Sequence, residues 1–424
     1  MIKIINYSQL TDKKIIASPK PIGDVSALVK EILETVRKEG DKALFAYAER
    51  FDKVSLSALR VSDEEMEKGL SQVDADFTRI LEASAANIRE FHAKQRRDGF
   101  EIKRGDGVIL GQRVTPIERV GLYVPGGTAA YPSTVLMDAI PAKIAGCPKV
   151  VMCTPPAKDG SVPAVILAAA KVAGVDEIYK VGGAQAIAAL AYGTETVPKT
   201  DKIVGPGNAF VAEAKRQVYG LVSIDMIAGP SEILVVSDEK SNPRHLAADL
   251  LSQAEHDKNA SAVLVTTSPS LATAVQGAIE DLLKEMEREE IARASVDTNG
   301  KIIVVKDLSE AVDVANDIAP EHLELCVDKP FELLEKVKHA GSVFLGRNCP
   351  EAIGDYFAGM NHTLPTCGTA RFSSPLSVDD FVKKTQYAFY SADALQKVAS
   401  DVAAFARKEG LTGHAGSAEI RSKE

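Results

Sequence analysis

No apolar run in the 424 residues reaches the roughly 18 that a membrane-crossing helix needs, so no membrane partner is expected. The opening Met1-Ile2-Lys3-Ile4-Ile5-Asn6 is too short and too soon interrupted for a signal peptide, and a cytoplasmic location is the expectation. Long basic runs are missing as well. At a net charge of -9 nothing favours nucleic acid or an anionic lipid surface, which leaves a small-molecule role as the default. Cysteine is scarce and forms no CxxC: Cys147, Cys153, Cys326, Cys349 and Cys367 read as reduced thiols. Cys153 and Cys326 end apolar, strand-like runs and are expected to pack rather than react. The GxGxxG dinucleotide fingerprint is also absent, and no strand is followed by an acidic residue at the usual distance for a ribose.

What is present is the balance of a folded chain, 45% hydrophobic and 26% charged. At about 150 residues per domain the length suggests two or three domains. Between Asp24 and Phe51, the residues Val25, Leu28, Val29, Ile32, Leu33, Val36 and Leu44 recur at helical spacing, and 77–92 continues in kind. Residues 1–107 therefore read as a mainly helical N-terminal region. His92, beside Lys94, Arg96 and Arg97, reads as a solvated helix end, and His245 and His339 as surface residues.

Beyond Val108 the texture changes to alternating apolar strands and helices. One series, at 118–124, 149–153, 175–181 and 202–204, falls in 108–228; a second, at 232–236, 261–266, 301–305, 321–327 and 341–345, falls in 229–370. Helices are expected between them, including 331–339. This rhythm predicts an α/β fold with two Rossmann-like parallel-sheet domains, covered on both faces and binding ligands beyond the C-terminal ends of the strands. Residues 371–424 form a C-terminal extension with a helix near 391–407.

Several side chains in this frame are equipped for chemistry. Asn242-Pro243 caps a helix on which Leu246 and Leu250 mark the apolar stripe, and Gln253 and His256 follow one turn apart. Such a pair is by itself more often an ordinary polar helix edge than a metal or substrate site, since zinc normally takes three or four ligands. Glu321-His322 sets a carboxylate and an imidazole at the mouth of a strand, suited to proton transfer or simply to capping it. Asp355 and His362 lie in an irregular stretch, 348–375, rich in Gly, Pro, Thr and Ser. The turns at Pro125-Gly126-Gly127-Thr128, Gly182-Gly183 and Gly205-Pro206-Gly207-Asn208 fit tight packing or a close approach to a ligand.

Seven segments in order carry a resemblance: Tyr123-Val124-Pro125-Gly126-Gly127, Val181-Gly182-Gly183-Ala184-Gln185-Ala186, Val204-Gly205-Pro206-Gly207-Asn208-Ala209-Phe210, Ala228-Gly229-Pro230-Ser231-Glu232, Ser252-Gln253-Ala254-Glu255-His256, Pro320-Glu321-His322-Leu323 and Asn361-His362-Thr363-Leu364-Pro365-Thr366. Together they resemble the histidinol dehydrogenase family, from about residue 24 to 415. The resemblance implies a zinc-dependent, NAD-linked oxidation of L-histidinol through L-histidinal to L-histidine, the last steps of histidine biosynthesis. It implies Gln253, His256, Asp355 and His414 as ligands of Zn2+, and Glu321 and His322 as the acid-base pair. Tyr123, Gln185 and Asn208 would contact NAD; Ser231, His362 and Glu409 would contact substrate together with the zinc ligands and the acid-base pair. It further implies a homodimer in which the C-terminal extension is exchanged, so that each site draws on both subunits. The same apparatus would serve another polar alcohol, and metal, Glu321 and water would serve a hydrolase; His362, Glu409 and His414 speak for histidinol.

Overall fold

The computed structural model describes residues 1–9, 25–126 and 130–422, so Asp24, Gly127 and Thr128 of the segments above lie outside the described residues. The chain divides into two compact units. One joins Met1–Gln95 to Glu118–Phe381, the other Arg96–Ile117 to Val382–Glu424.

Strand β1 (Lys3–Asn6) precedes the helical region, and β2 (Phe100–Arg104) and β3 (Val108–Pro116) follow it. Then come β4 (Arg119–Tyr123), β5 (Lys149–Thr154), β6 (Glu177–Lys180), β7 (Lys202–Val204) and β8 (Ser223–Ile224). The second series is β9 (Glu232–Ser237), β10 (Ser261–Thr266), β11 (Lys301–Val304), β12 (His322–Cys326) and β13 (Ser342–Leu345); β14 (Val382–Tyr390) follows.

The larger unit carries two parallel sheets, ordered β6-β5-β4-β7-β8 and β1-β11-β10-β9-β12-β13. Helices between consecutive strands return the chain to the same edge, which makes the strands parallel. Their continuous apolar runs are buried on both faces: Val150, Val151, Met152 and Cys153 of β5 are all 0% exposed. In the second sheet the alternation splits the core. Ile233, Val235, Leu264 and Ile302 pack with Leu246, Leu250 and Leu271, while Leu234, Val236, Leu323 and Leu325 pack with Val312 and Val314 on the opposite face. Each such side chain contributes about 1.5 to 3 kcal/mol by leaving water.

The N-terminal region carries the helices Ser26–Glu39, Asp41–Tyr47, Asp63–Leu70 and Ala75–Ala93. Its helix Ser26–Glu39 buries Val29, Ile32, Leu33 and Val36, and a π-helical turn spans Ala48–Asp52. His92 corrects its reading: it is fully buried, with Nδ1 2.7 Å from Gln95 Oε1. The basic neighbours point local pattern toward solvent, but His92 follows Ile88 by one turn and shares its buried face. The expected helix at 331–339 shortens to Pro330–Leu334. β1 was not anticipated; it pairs along β11 in register Lys3↔Lys301. No cysteine is bonded to another, and Cys153 and Cys326 are buried. No helix among the described residues is long and apolar enough to cross a membrane.

The smaller unit is an antiparallel sheet, β14-β3-β2, with β14 paired along the whole of β3 from Val382↔Pro116 to Tyr390↔Val108. Helices Ala392–Lys408 and Thr412–Arg421 then pack through Ala403, Ala406 and Ala415, and Arg407 forks onto both carboxylate oxygens of Glu419 at 2.8 Å.

Candidate active site

The second sheet places its reactive groups at the N-terminal ends of its strands, contrary to the general expectation. His322 opens β12, and Glu232 opens β9; His322 lies opposite Ile233 and Ser342 in the register. The reason is directional. A helix between parallel strands runs back against them, so its C-terminus arrives at the edge where the strands begin. Helix Pro243–Ala254, started by Asn242 accepting from the Arg244 N–H at 2.9 Å, thus carries Gln253 and His256 to that edge at its C-terminal end. Helix Glu351–Tyr356 carries Asp355 in the same sense.

The convergence is tight. Donor atoms of His322, Glu351 and Asp355 all lie within 4.8 Å of one another. His322 Nδ1 is 3.0 Å from the Glu232 carbonyl oxygen, so that nitrogen donates and Nε2 carries the lone pair; Nε2 is buried, 3.9 Å from Asp355 Oδ1, with no hydrogen-bond partner among the described residues. Gln253 is 1% exposed and its Oε1 is likewise unpartnered, as is Glu351 Oε1. Ser252 Oγ donates to Glu351 Oε2 at 3.0 Å. Buried lone pairs without donors are costly, about 1 to 3 kcal/mol each, so a cation or a donor on a ligand would be held there.

Protonation follows from crowding. Burial, then the Glu351 charge, raises Asp355 well above the usual carboxylate range. Glu351 goes the other way: burial pushes it up, but His322 and its hydrogen bonds outweigh that and lower it. The opposite shifts are what crowding produces, since two carboxylates this close resist carrying two charges. Burial lowers His322 and pushes His362 down to about 4, so both imidazoles are neutral near pH 7. Glu321, 7% exposed, accepts the Glu232 N–H through Oε2 at 2.9 Å, and burial raises it well above the ordinary value.

Glu232 itself is pushed up to about 7 by burial, opposed by the Cys367 N–H at 2.9 Å. Its folded-state value lies above its ordinary 4.5, so the folded chain keeps a proton that the unfolded chain loses. That contribution is complete below pH 4.5 and is lost as pH rises through about 7, a sum of roughly 3 kcal/mol. Glu232→Gln keeps an oxygen for the Cys367 N–H but does not titrate. Denaturant unfolding at pH 4.5 and 8 should show the variant gaining on the wild type by up to that amount at the higher pH; a constant difference would show that Glu232 titrates at its ordinary value in the folded chain.

The first sheet presents its candidates at the C-terminal strand ends, as the fold class predicts. Tyr123 ends β4, buried, and its hydroxyl accepts the Gly183 N–H at 3.0 Å. Burial pushes Tyr123 up to about 12, so it keeps a proton to donate. Gln185 is buried in helix Gly183–Tyr192. Asn208 is exposed and caps helix Ala209–Val218, its Oδ1 accepting from Phe210 and Val211 N–H groups at 3.0 and 3.2 Å, which leaves Nδ2 for a ligand. Gly205 settles one ambiguity of the Gly-rich turns: its φ is +117°, and a Cβ would lie 2.1 Å from the Tyr123 carbonyl oxygen. Packing demands glycine there. Gly205→Ala should lose about 3 to 5 kcal/mol in denaturant unfolding, and a loss under about 1 kcal/mol would mean that the turn relaxes at little cost.

Of the remaining candidates, Ser231 is half-buried just before β9 and His362 half-buried between the buried Asn361 and Thr363. His256 is exposed on a cavity of about 360 Å³ that Tyr131, Arg288 and Tyr356 also line. Glu409 and His414 are exposed in the smaller unit, at the end of helix Ala392–Lys408 and on Thr412–Arg421. Glu351 was missed by sequence reasoning. Its signal was available: it precedes Asp355 by four residues, which puts two carboxylates on one helical face.

The family model described as histidinol dehydrogenase matches residues 18–422. Among curated relatives, histidinol dehydrogenase from Clostridium acetobutylicum is 52% identical over 428 residues, covering 100% of this chain and 99% of its own, and that from Geobacillus kaustophilus is 56% identical over 393 residues, covering 93% of each. The crystal structure of histidinol dehydrogenase from Elizabethkingia anophelis superimposes with a TM-score of 0.94 at 38% identity, covering 100% of this chain and 98% of that one. A family model spanning nearly the whole chain, two relatives above half identity and one structure of the same fold place this chain in the histidinol dehydrogenase family of oxidoreductases.

Proposed function

We propose that the protein oxidises L-histidinol through L-histidinal to L-histidine in two NAD-linked steps, as a cytoplasmic enzyme of histidine biosynthesis. The observation that carries this is the His322 imidazole, neutral, oriented by the Glu232 carbonyl, with its unpartnered Nε2 beside Asp355 and Glu351. Zinc fits this set, because the buried Gln253 Oε1 has no donor among the described residues and Asp355 offers a carboxylate that would give up its proton to a cation. Gln253, His256 and Asp355 would hold the metal, with His414 contributed by a second copy. Bound zinc would orient a substrate bearing an amine and an imidazole, and NAD would accept a hydride at each step.

The chain's own residues supply the proton handling. His322 Nε2 takes the hydroxyl proton of the alcohol. Oxidising the aldehyde requires water to add first, and Glu321 activates that water. Tyr123, Gln185 and Asn208 would hold NAD on the 108–228 side, and Ser231, His362 and Glu409 the substrate on the 229–370 side. The C-terminal extension supports exchange in a homodimer: Glu409 and His414 are exposed, and β14 is an edge strand with exposed Tyr387 and Phe389.

Following NADH absorbance with limiting L-histidinol tests the reading. Two NADH per histidinol are expected. One NADH would restrict the activity to alcohol oxidation, and none with histidinol but some with another alcohol would reassign the substrate.

A further inference from the structure

A second buried polar cluster lies at the C-terminal edge of the first sheet, apart from His322. Lys215 and Asp225 form an ion pair with side chains 2% and 1% exposed. Both also hold Gly205. Its N–H donates to Asp225 Oδ2 at 2.8 Å, and its carbonyl accepts from Lys215 Nζ at 3.0 Å. A buried ion pair is poor evidence for stability, since apolar residues of the same volume do as well. Apolar residues could not hold both polar groups of one turn, and three residues after that turn stands Asn208.

Asp138, on helix Pro132–Ala145, adjoins this cluster. It is 0% exposed; its Oδ2 lies 3.1 Å from where a Gly205 Cβ would be and has no hydrogen-bond partner among the described residues. Its Oδ1 accepts from Thr363 Oγ1 at 3.0 Å. One residue earlier, the Met137 carbonyl accepts from Asn361 Nδ2 at 2.7 Å, and Asn361 Oδ1 in turn accepts the Thr363 N–H at 2.8 Å. The two residues flanking His362 are thus clamped to the same helical turn that abuts Gly205.

We propose that Asp138, backed by the Lys215–Asp225 pair, is a positioning unit that fixes the cofactor-side turn at 205–208 and the substrate-side segment at 361–363 against each other. It touches neither ligand and rests on the functional reading above. Burial raises its carboxyl well above the usual range, which favours the neutral hydrogen-bonding form. A cut at the Thr363 end should therefore be felt in NAD binding, because one rigid helical turn carries both anchors.

The experiment uses the full-length, zinc-loaded protein with Thr363→Val, Asp138→Val and Asp138→Asn. Thr363→Val removes only the hydroxyl donor, and Asp138→Asn preserves a neutral group of the same shape. Thr363→Val and Asp138→Val should raise KM for both NAD and L-histidinol by about tenfold, and Thr363→Val should weaken NAD affinity by a similar factor in calorimetry without histidinol; Asp138→Asn should stay within about twofold of wild type. A merely structural role would lower the melting temperature and leave both KM values in place. If the wild type oxidises histidinol but Thr363→Val keeps its NAD affinity, or moves only the histidinol KM, the coupling is wrong and the functional reading stands. If the wild type makes no NADH from histidinol, the functional reading fails, and the NAD calorimetry still decides the coupling; a wild type that does not bind NAD overturns both.

Discussion

His322→Asn should lower kcat by about 10²- to 10⁴-fold, the range for losing a positioned general base. Asparagine is the informative replacement. Its amide nitrogen stands near the place of Nδ1 and can still donate to the Glu232 carbonyl, which the wild-type ring does at 3.0 Å. What disappears is Nε2, the buried nitrogen that faces Asp355 and has no other partner among the described residues. Bound zinc and the KM for histidinol should therefore change little. Equal losses in turnover, metal content and affinity would mark His322 as a structural residue. The acid limb of the wild-type pH profile should fall below His322's ordinary 6.5, because burial disfavours the charged ring, and the variant should lose that limb.

Mixing two inactive variants should restore activity if the sites are shared. His322→Asn and His414→Ala, co-expressed, would give hybrid dimers in half of the molecules; each hybrid has one site carrying both lesions and one carrying neither, so recovery of about a quarter of wild-type activity is expected. Each variant alone should stay near background. The exposure of His414 and Glu409, in helices held to their own unit mainly by alanines, motivates this test. Activity that remains at background after mixing would place every site residue within a single chain, and His414 would then need another role.

Local chemistry made much of the molecule legible. Asn242-Pro243 started its helix where the cap and the proline put it, and the apolar runs at β5, β9 and β12 became doubly covered parallel strands. The candidate pair Glu321-His322 was visible because the two residues adjoin. Glu351 was not, although it stands closer to His322 than pattern suggested: a lone glutamate after Cys349-Pro350 looks like a helix start, and only packing shows that its carboxylate is buried. His92 was misjudged for the complementary reason, since its basic neighbours lie past the end of the helix while His92 itself sits on the buried face of its last turn. β14 was hidden because nearly all its residues are exposed, which removes the alternation that marks a half-buried strand.

The sequence by itself determined the alternation of strands and helices, the covered parallel sheets and the family, because periodicity, caps and motifs depend on residues near one another along the chain. Tertiary structure decided which strand ends carry chemistry. In the first sheet Tyr123 and the Gly205 turn lie at C-terminal ends, whereas in the second sheet Glu232 and His322 open their strands and returning helices bring Gln253 and Asp355 to them. Tertiary structure also decided which buried polar groups lack a partner among the described residues, from His322 Nε2 to Asp138 Oδ2. Burial is set by contacts between residues as far apart as Asp138 and Thr363, and no local pattern encodes it.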